Sequence, residues 1–405
     1  KKSRERERAH HNHHDHNQAT SMVASGLRDA LIPNATTPRG TMRNSRGTKL
    51  AYREWTLASG RPQGAVFLVH GVAEYSGRYE RIATFLNSKG YDVFALDHQG
   101  HGESEGERAH VERFSDYVQD VEQFVREVTA ARPAIADIPR FLMGHSMGGL
   151  VAAHAALRPS FDDLMIRGIV VLSARLTAPA GASTAALSMK SSFSPKSPMN
   201  YHNATDTVPL SHDTASDEAY KADPLVYHGA LRARFTSEVL SAMDELNRKA
   251  RSFDAPLLVM HGTENGINKL EASQQWFNQS GSADKTFCPV PGAYHELHNE
   301  AEPYGTFFRD ELVKWMQARN NVVKTDRGLA ISARGIEAPS VPPVGVYVPV
   351  PAGMPVMPQP PMAPQPPMMN TMQMPGTMPM PPMVPTQQPF GYPGASPYPM
   401  FGVPV

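Results

Sequence analysis

Five short apolar runs constrain this chain more than any other feature. They occupy residues 65–69, 92–96, 140–143, 169–172 and 256–260. Each is too short for a helix and too continuous for a strand with one wet face. Such strands need cover on both faces, which is the signature of a mainly parallel sheet. A sixth run, 285–290, closes the series. Between the runs lie helical patterns. Phe114, Tyr117, Val118, Val121, Phe124, Val125 and Val128 fall on one helical stripe. Strands alternating with helices predict an α/β fold with helices on both faces of the sheet.

The flanking material differs. Residues 1–38 mix Lys, Arg and Glu with five histidines, His10, His11, His13, His14 and His16. There is little to bury, so a disordered segment is expected, and the irregular histidine spacing argues against a specific metal site. Residues 39–320 read as the globular domain. Residues 321–405 read as a Pro/Met-rich disordered tail, with Glu337 the only charge after Arg334. Proline removes backbone donors, so from about residue 336 neither a helix nor a central strand is expected. Interleaved Met, Tyr and Phe make this tail a candidate site for a protein partner.

Acidic and basic residues balance at 39 each, which gives no case for a nucleic-acid partner. The lone cysteine, Cys288, excludes an intramolecular disulfide and is compatible with a reducing compartment. No apolar run approaches the ~20 residues that span a bilayer, and none at the start suits a signal peptide. A cytoplasmic protein is expected.

The third run enters Gly144-His145-Ser146-Met147-Gly148. Gly149, Ala152, Ala153, Ala155 and Ala156 follow on a helix able to pack closely. Strand, tight turn and helix around Gly-x-Ser-x-Gly make a nucleophile elbow, which holds the serine hydroxyl at the carboxyl edge of the sheet. Ser146 needs a base. His295, in Gly292-Ala293-Tyr294-His295 after the last run, stands in the right chain order. The remaining histidines are expected in the tail or at the surface, and His145 points the wrong way. A developing oxyanion needs donors. Position assigns them to the backbone N–H groups of Met147 and Val72.

Several motifs resemble the monoacylglycerol lipase and lysophospholipase family of α/β-hydrolases. They are residues 70–79 (HGVAEYSGRY), 97–106 (DHQGHGESEG), 144–149 (GHSMGG), 222–225 (ADPL) and 292–295 (GAYH). The resemblance covers about residues 41–319. It implies hydrolysis of a single-chain lipid ester to fatty acid and glycerol, with no metal or organic cofactor. It also implies a cap at about 175–250, inserted before the last two strands, and peripheral membrane contact through it. Residues 181–200 are rich in Ser, Ala and Pro, which weakens that contact and the case for a long apolar channel. The resemblance implies a polar substrate pocket at Glu74, Arg78, Tyr220 and His298. Read as residues alone, Glu74 and Arg78 are equally a loop-stabilising ion pair, and His298 a surface group.

One position departs from the family. Its acid follows the fifth run as His-Gly-x-x-Asp, whereas this chain has His261-Gly262-Thr263-Glu264-Asn265. The acid fixes the histidine tautomer and stabilises the imidazolium; a neutral amide can select the wrong tautomer. Three readings stand. Glu264 reaches His295 in its place; the protein is an impaired lipid-binding relative; or the residue is altered from that of a working enzyme. Asn265-Gly266 is also a dipeptide prone to deamidation.

Overall fold

A computed structural model describes residues 39–177, 184–199 and 208–320, together with short strands at 322–325, 328–331 and 346–347. The basic, His-rich segment 1–38 and most of the tail lie outside the described residues, as do parts of the cap. The chain divides after Met357, and the second unit holds none of the described residues.

The anticipated runs form β3 (Gly64–Val69), β4 (Tyr91–Leu96), β5 (Arg140–His145), β6 (Ile166–Leu172), β7 (Leu257–Gly262) and β8 (Lys285–Val290). They lie parallel in the order β4-β3-β5-β6-β7-β8. Two further strands extend the sheet at the β4 edge. β1 (Arg39–Arg43) and β2 (Lys49–Trp55) form an antiparallel pair, and β2 runs antiparallel to β4. No apolar run announced them. β2 buries Arg53 and Glu54, which pair with Glu103 and Arg132. Paired charges can be buried, and they mask the apolar pattern.

Three short strands fall within 321–405, against the expectation for that region. β9 (Val322–Thr325) and β10 (Gly328–Ile331) form a separate antiparallel pair, and β11 (Val346–Tyr347) adds to the edge of β8. All three are free of proline and carry β-branched, aromatic or aliphatic residues, and the last sits at an edge.

Helices cover both faces. α1 is Glu80–Ser88, α2 Phe114–Ala131 and α3 Met147–Ala156. The anticipated stripe on α2 is wholly buried against α3 and one face of the sheet. The other face is covered by α1 and the last helix, whose Tyr304, Phe308, Leu312 and Met316 point inward. Between β6 and β7 lie α4 (Thr184–Phe193), α5 (Thr214–Ala222) and α6 (Ala233–Arg248); α7 (Leu270–Gln279) and α8 (Tyr304–Gln317) complete the fold. No helix among the described residues is long and apolar enough to cross a membrane.

The histidines correct a second expectation. The expectation places most of them in the tail or at the surface, yet nine of the seventeen are buried among the described residues. Burial disfavours the imidazolium. It holds His98 and His295 well below the usual range and lowers His70 and His154. It pushes His101 and His298 down to about 3 and His261 to about 4. Above the unfolded-state value of ~6.5 these rings are neutral in both states. As pH falls below it, the unfolded chain takes up protons that the folded chain refuses. Each such ring then removes up to ~1.4 kcal/mol per pH unit until its folded value is reached. Thermal unfolding measured from pH 8 to pH 4 is expected to show a plateau above ~6.5 and a steep fall below it. A midpoint unchanged at pH 5 would contradict this.

Candidate active site

The turn between β5 and α3 places Ser146. Its backbone sits at φ 53°, ψ −118°, a strained conformation for a side-chain-bearing residue. Two glycines make the turn feasible. A Cβ on Gly144 would lie 2.1 Å from the Gly148 carbonyl oxygen, and one on Gly148 would lie 2.0 Å from that of Val69. Strain of ~1–3 kcal/mol is retained because the strand and helix on either side are both locked into the core.

Ser146 opens into a cavity of about 220 Å³. Val72, Met147 and His295 share its lining. Met147 is the first residue of α3, so its N–H has no acceptor within the helix and is available to an oxyanion. His145 is turned away from the serine. Its Nδ1 contacts Glu74 Oε1 at 2.9 Å and its Nε2 the His295 carbonyl at 3.3 Å.

The two ends of the oxyanion loop are fastened. Asp97 accepts from the N–H of Ser76 and of Glu103, both at 2.8 Å. Tyr75 donates to Asp223 at 2.6 Å, and the Tyr227 N–H donates to the Ala73 carbonyl at 2.8 Å. The 97–106 and 222–225 motifs thus act as ties that hold the loop to the sheet and to the cap.

The polar residues divide. Glu74 Oε1 accepts from the Gly71 N–H at 2.7 Å and the Tyr79 hydroxyl at 2.9 Å, besides His145. Burial opposes its charge, but His145, Arg78 and His298 outweigh it and hold the carboxyl well below the usual range. Arg78 makes two hydrogen bonds to Glu296, at 2.7 and 2.6 Å, lies 3.5 Å from Glu74, and covers the Tyr220 ring at 4.6 Å. Burial opposes its charge too, and the two carboxylates raise its pKa. Glu74 and Tyr220 line the cavity; Arg78 and His298 stand behind the lining residues. His298 is buried, not at the surface, and stacks on Tyr79 at 4.5 Å.

Sequence reasoning missed Glu296 and the apolar wall. Leu231, Phe235, Val239 and Met243, spaced by four, line the cavity from α6 and the turn before it. That spacing was a readable signal of one apolar helix face. The Ser/Ala/Pro-rich 181–200 stretch is therefore not where the apolar wall resides.

At the third position the loop after β7 brings Asn265, not Glu264, to the base. Asn265 Oδ1 lies 3.2 Å from His295 Nδ1. The Glu264 backbone N–H binds the Ala293 carbonyl at 3.0 Å, and its side chain is partly exposed.

A parallel sheet with a strained serine at its carboxyl edge and a histidine across the same cavity defines a serine hydrolase of the α/β-hydrolase fold. The family described as "Serine aminopeptidase, S33" matches residues 60–302, and the chain belongs to that family. It is 32% identical over 272 residues to a monoacylglycerol lipase of Mycolicibacterium smegmatis, covering 67% of this chain and 93% of that one. It is 32% identical over 284 residues to a human monoglyceride lipase, covering 70% and 91%. Among solved structures, a soluble variant of the Saccharomyces cerevisiae monoglyceride lipase superposes with a TM-score of 0.63. It is 21% identical, covers 71% of this chain and 97% of that one, and supports the fold.

Proposed function

We propose that this protein hydrolyses monoacylglycerol to fatty acid and glycerol through an acyl-enzyme on Ser146. The observation that carries this reading is a cavity lined by two kinds of side chain. Glu74, Tyr220 and Glu296, which gather around Arg78, supply its polar lining, and Leu231, Phe235, Val239 and Met243 supply an apolar helix face. Carboxylates accept from the hydroxyls of a polyol and repel a phosphate. The single acyl chain lies along the α6 face.

In this mechanism His295 Nε2 takes the Ser146 proton as the hydroxyl attacks the ester carbonyl. The N–H groups of Val72 and Met147 hold the oxyanion. The imidazolium returns the proton to the leaving glycerol oxygen, and water repeats the cycle on the acyl-enzyme. No step calls for a metal or cofactor. Exposed Met189 and Phe193 on α4 suit peripheral contact of the cap with a lipid surface. That contact and a single buried thiol fit a cytoplasmic enzyme that meets membranes. The proposed tail-borne partner site lies outside the described residues.

The test is a substrate panel at matched chain length. A 1-monoacylglycerol is expected to exceed lysophosphatidylcholine and a triacylglycerol in kcat/KM by about tenfold or more, since one unfavourable charge or one ill-fitting chain is worth 1–3 kcal/mol. Equal or better turnover of the lysophospholipid would move the function to lysophospholipase. A neutral amide at Asn265 favours a second reading, an impaired enzyme that binds lipid. Saturable monoacylglycerol binding without turnover would select it.

A further inference from the structure

We propose that His261, backed by Ser273, is a positioning residue that turns the Asn265 amide so that its oxygen, not its nitrogen, faces His295. The proposal takes Ser146 and His295 as the reacting pair. The hydrogen-bonded chain behind them has one fixed end. The Ala174 carbonyl can only accept, so the single proton of the Ser273 hydroxyl, in contact with it, points there. His261 Nδ1 lies 2.9 Å from Ser273 Oγ and therefore donates. Burial keeps this ring neutral, so its Nε2 carries a lone pair. Asn265 Nδ2 lies 3.1 Å from that nitrogen and donates to it.

The opposite side of the amide agrees. The backbone N–H groups of Ile267 and Asn268 both donate to Asn265 Oδ1 at 3.0 Å. Turning the amide over would set its NH₂ against two backbone donors and leave both unsatisfied. The oxygen is therefore what His295 Nδ1 meets. His295 holds its proton on Nδ1 and keeps its Nε2 lone pair for the Ser146 hydroxyl. A neutral residue thus performs the tautomer-selecting part of the acid's work, without the charge that would stabilise the imidazolium. The Asn268 carbonyl, 2.9 Å from His261 Nε2, is left without a proton between them. A proton on Nε2 would serve that contact but leave Nδ1 bare against a Ser273 oxygen whose proton is already given to Ala174.

Two measurements on the full chain decide this. Imidazole ¹⁵N NMR at neutral pH is expected to show both His261 and His295 protonated on Nδ1 and bare on Nε2. His261 protonated on Nε2, or His295 bare on Nδ1, overturns the proposal, whatever the activity. In kinetics, His261→Leu is expected to lower kcat about tenfold or more with KM little changed, the scale of one buried hydrogen bond. His261→Gln, whose oxygen can accept from Asn265 Nδ2, should restore most of it. With Asn265→Asp the Leu substitution should matter much less, because a carboxylate presents oxygen either way. Equal losses in both backgrounds, or Gln no better than Leu, overturns the positioning role. Absence of monoacylglycerol turnover in every variant rejects the functional reading while the tautomer measurement still stands.

Discussion

Asn265→Asp is expected to raise kcat on a monoacylglycerol by about 10–10²-fold while leaving KM nearly unchanged, the ~1.5–3 kcal/mol scale of a hydrogen bond to a charged partner. The amide already supplies an acceptor to His295 Nδ1. What it lacks is a negative charge beside the imidazolium that forms as Ser146 gives up its proton. That interaction exists only on the way to the transition state, so it changes kcat rather than binding. The surroundings suit the carboxylate. One oxygen keeps the Ile267 and Asn268 donors, and the other faces His261 Nε2. Steady-state kinetics of the purified variant beside the parent checks this. An unchanged kcat would show that the missing charge does not limit the reaction. Glu264→Gln should have little effect on kcat; loss of activity there would make Glu264 the working acid.

Ser146→Ala is expected to abolish covalent labelling by a fluorophosphonate in either background, but its kinetic effect should depend strongly on residue 265. Triad members act as a unit and their losses do not add. In a serine protease the whole triad is worth ~10⁶ in kcat and the aspartate alone ~10⁴ of that. With Asn265 holding His295 in the productive tautomer, the serine then has about 10⁴–10⁵-fold left to lose. In the Asn265→Asp background the same substitution should remove about 10⁶-fold. Measuring both pairs gives the coupling directly. Persistent labelling of the alanine variant would place the nucleophile elsewhere. Equal losses in the two backgrounds would show that residue 265 is not coupled to Ser146.

Much of this was legible without coordinates. The central strands declared themselves because a strand buried on both faces has no room for polar residues. The elbow declared itself because a turn this tight excludes side chains at Gly144 and Gly148. β1 and β2 did not, since Arg53 and Glu54 are buried through partners far along the chain. The buried histidines were missed for a related reason: a ring packed edge-on or tilted against other rings leaves no periodic trace.

The sequence by itself determined the six central parallel strands, the chain order of Ser146, Asn265 and His295, and the absence of a carboxylate at the third position. Those are properties of residue identity and spacing. Only the tertiary structure decided what the residues do to one another. Arg78, expected to meet substrate, is bound to Glu296, 218 positions away. Asn265, expected to risk the wrong tautomer, is turned the right way by Ile267, Asn268 and His261. Hydrogen bonds have direction, and the direction of an amide is set by every donor and acceptor around it at once. That arrangement exists only when the chain is folded.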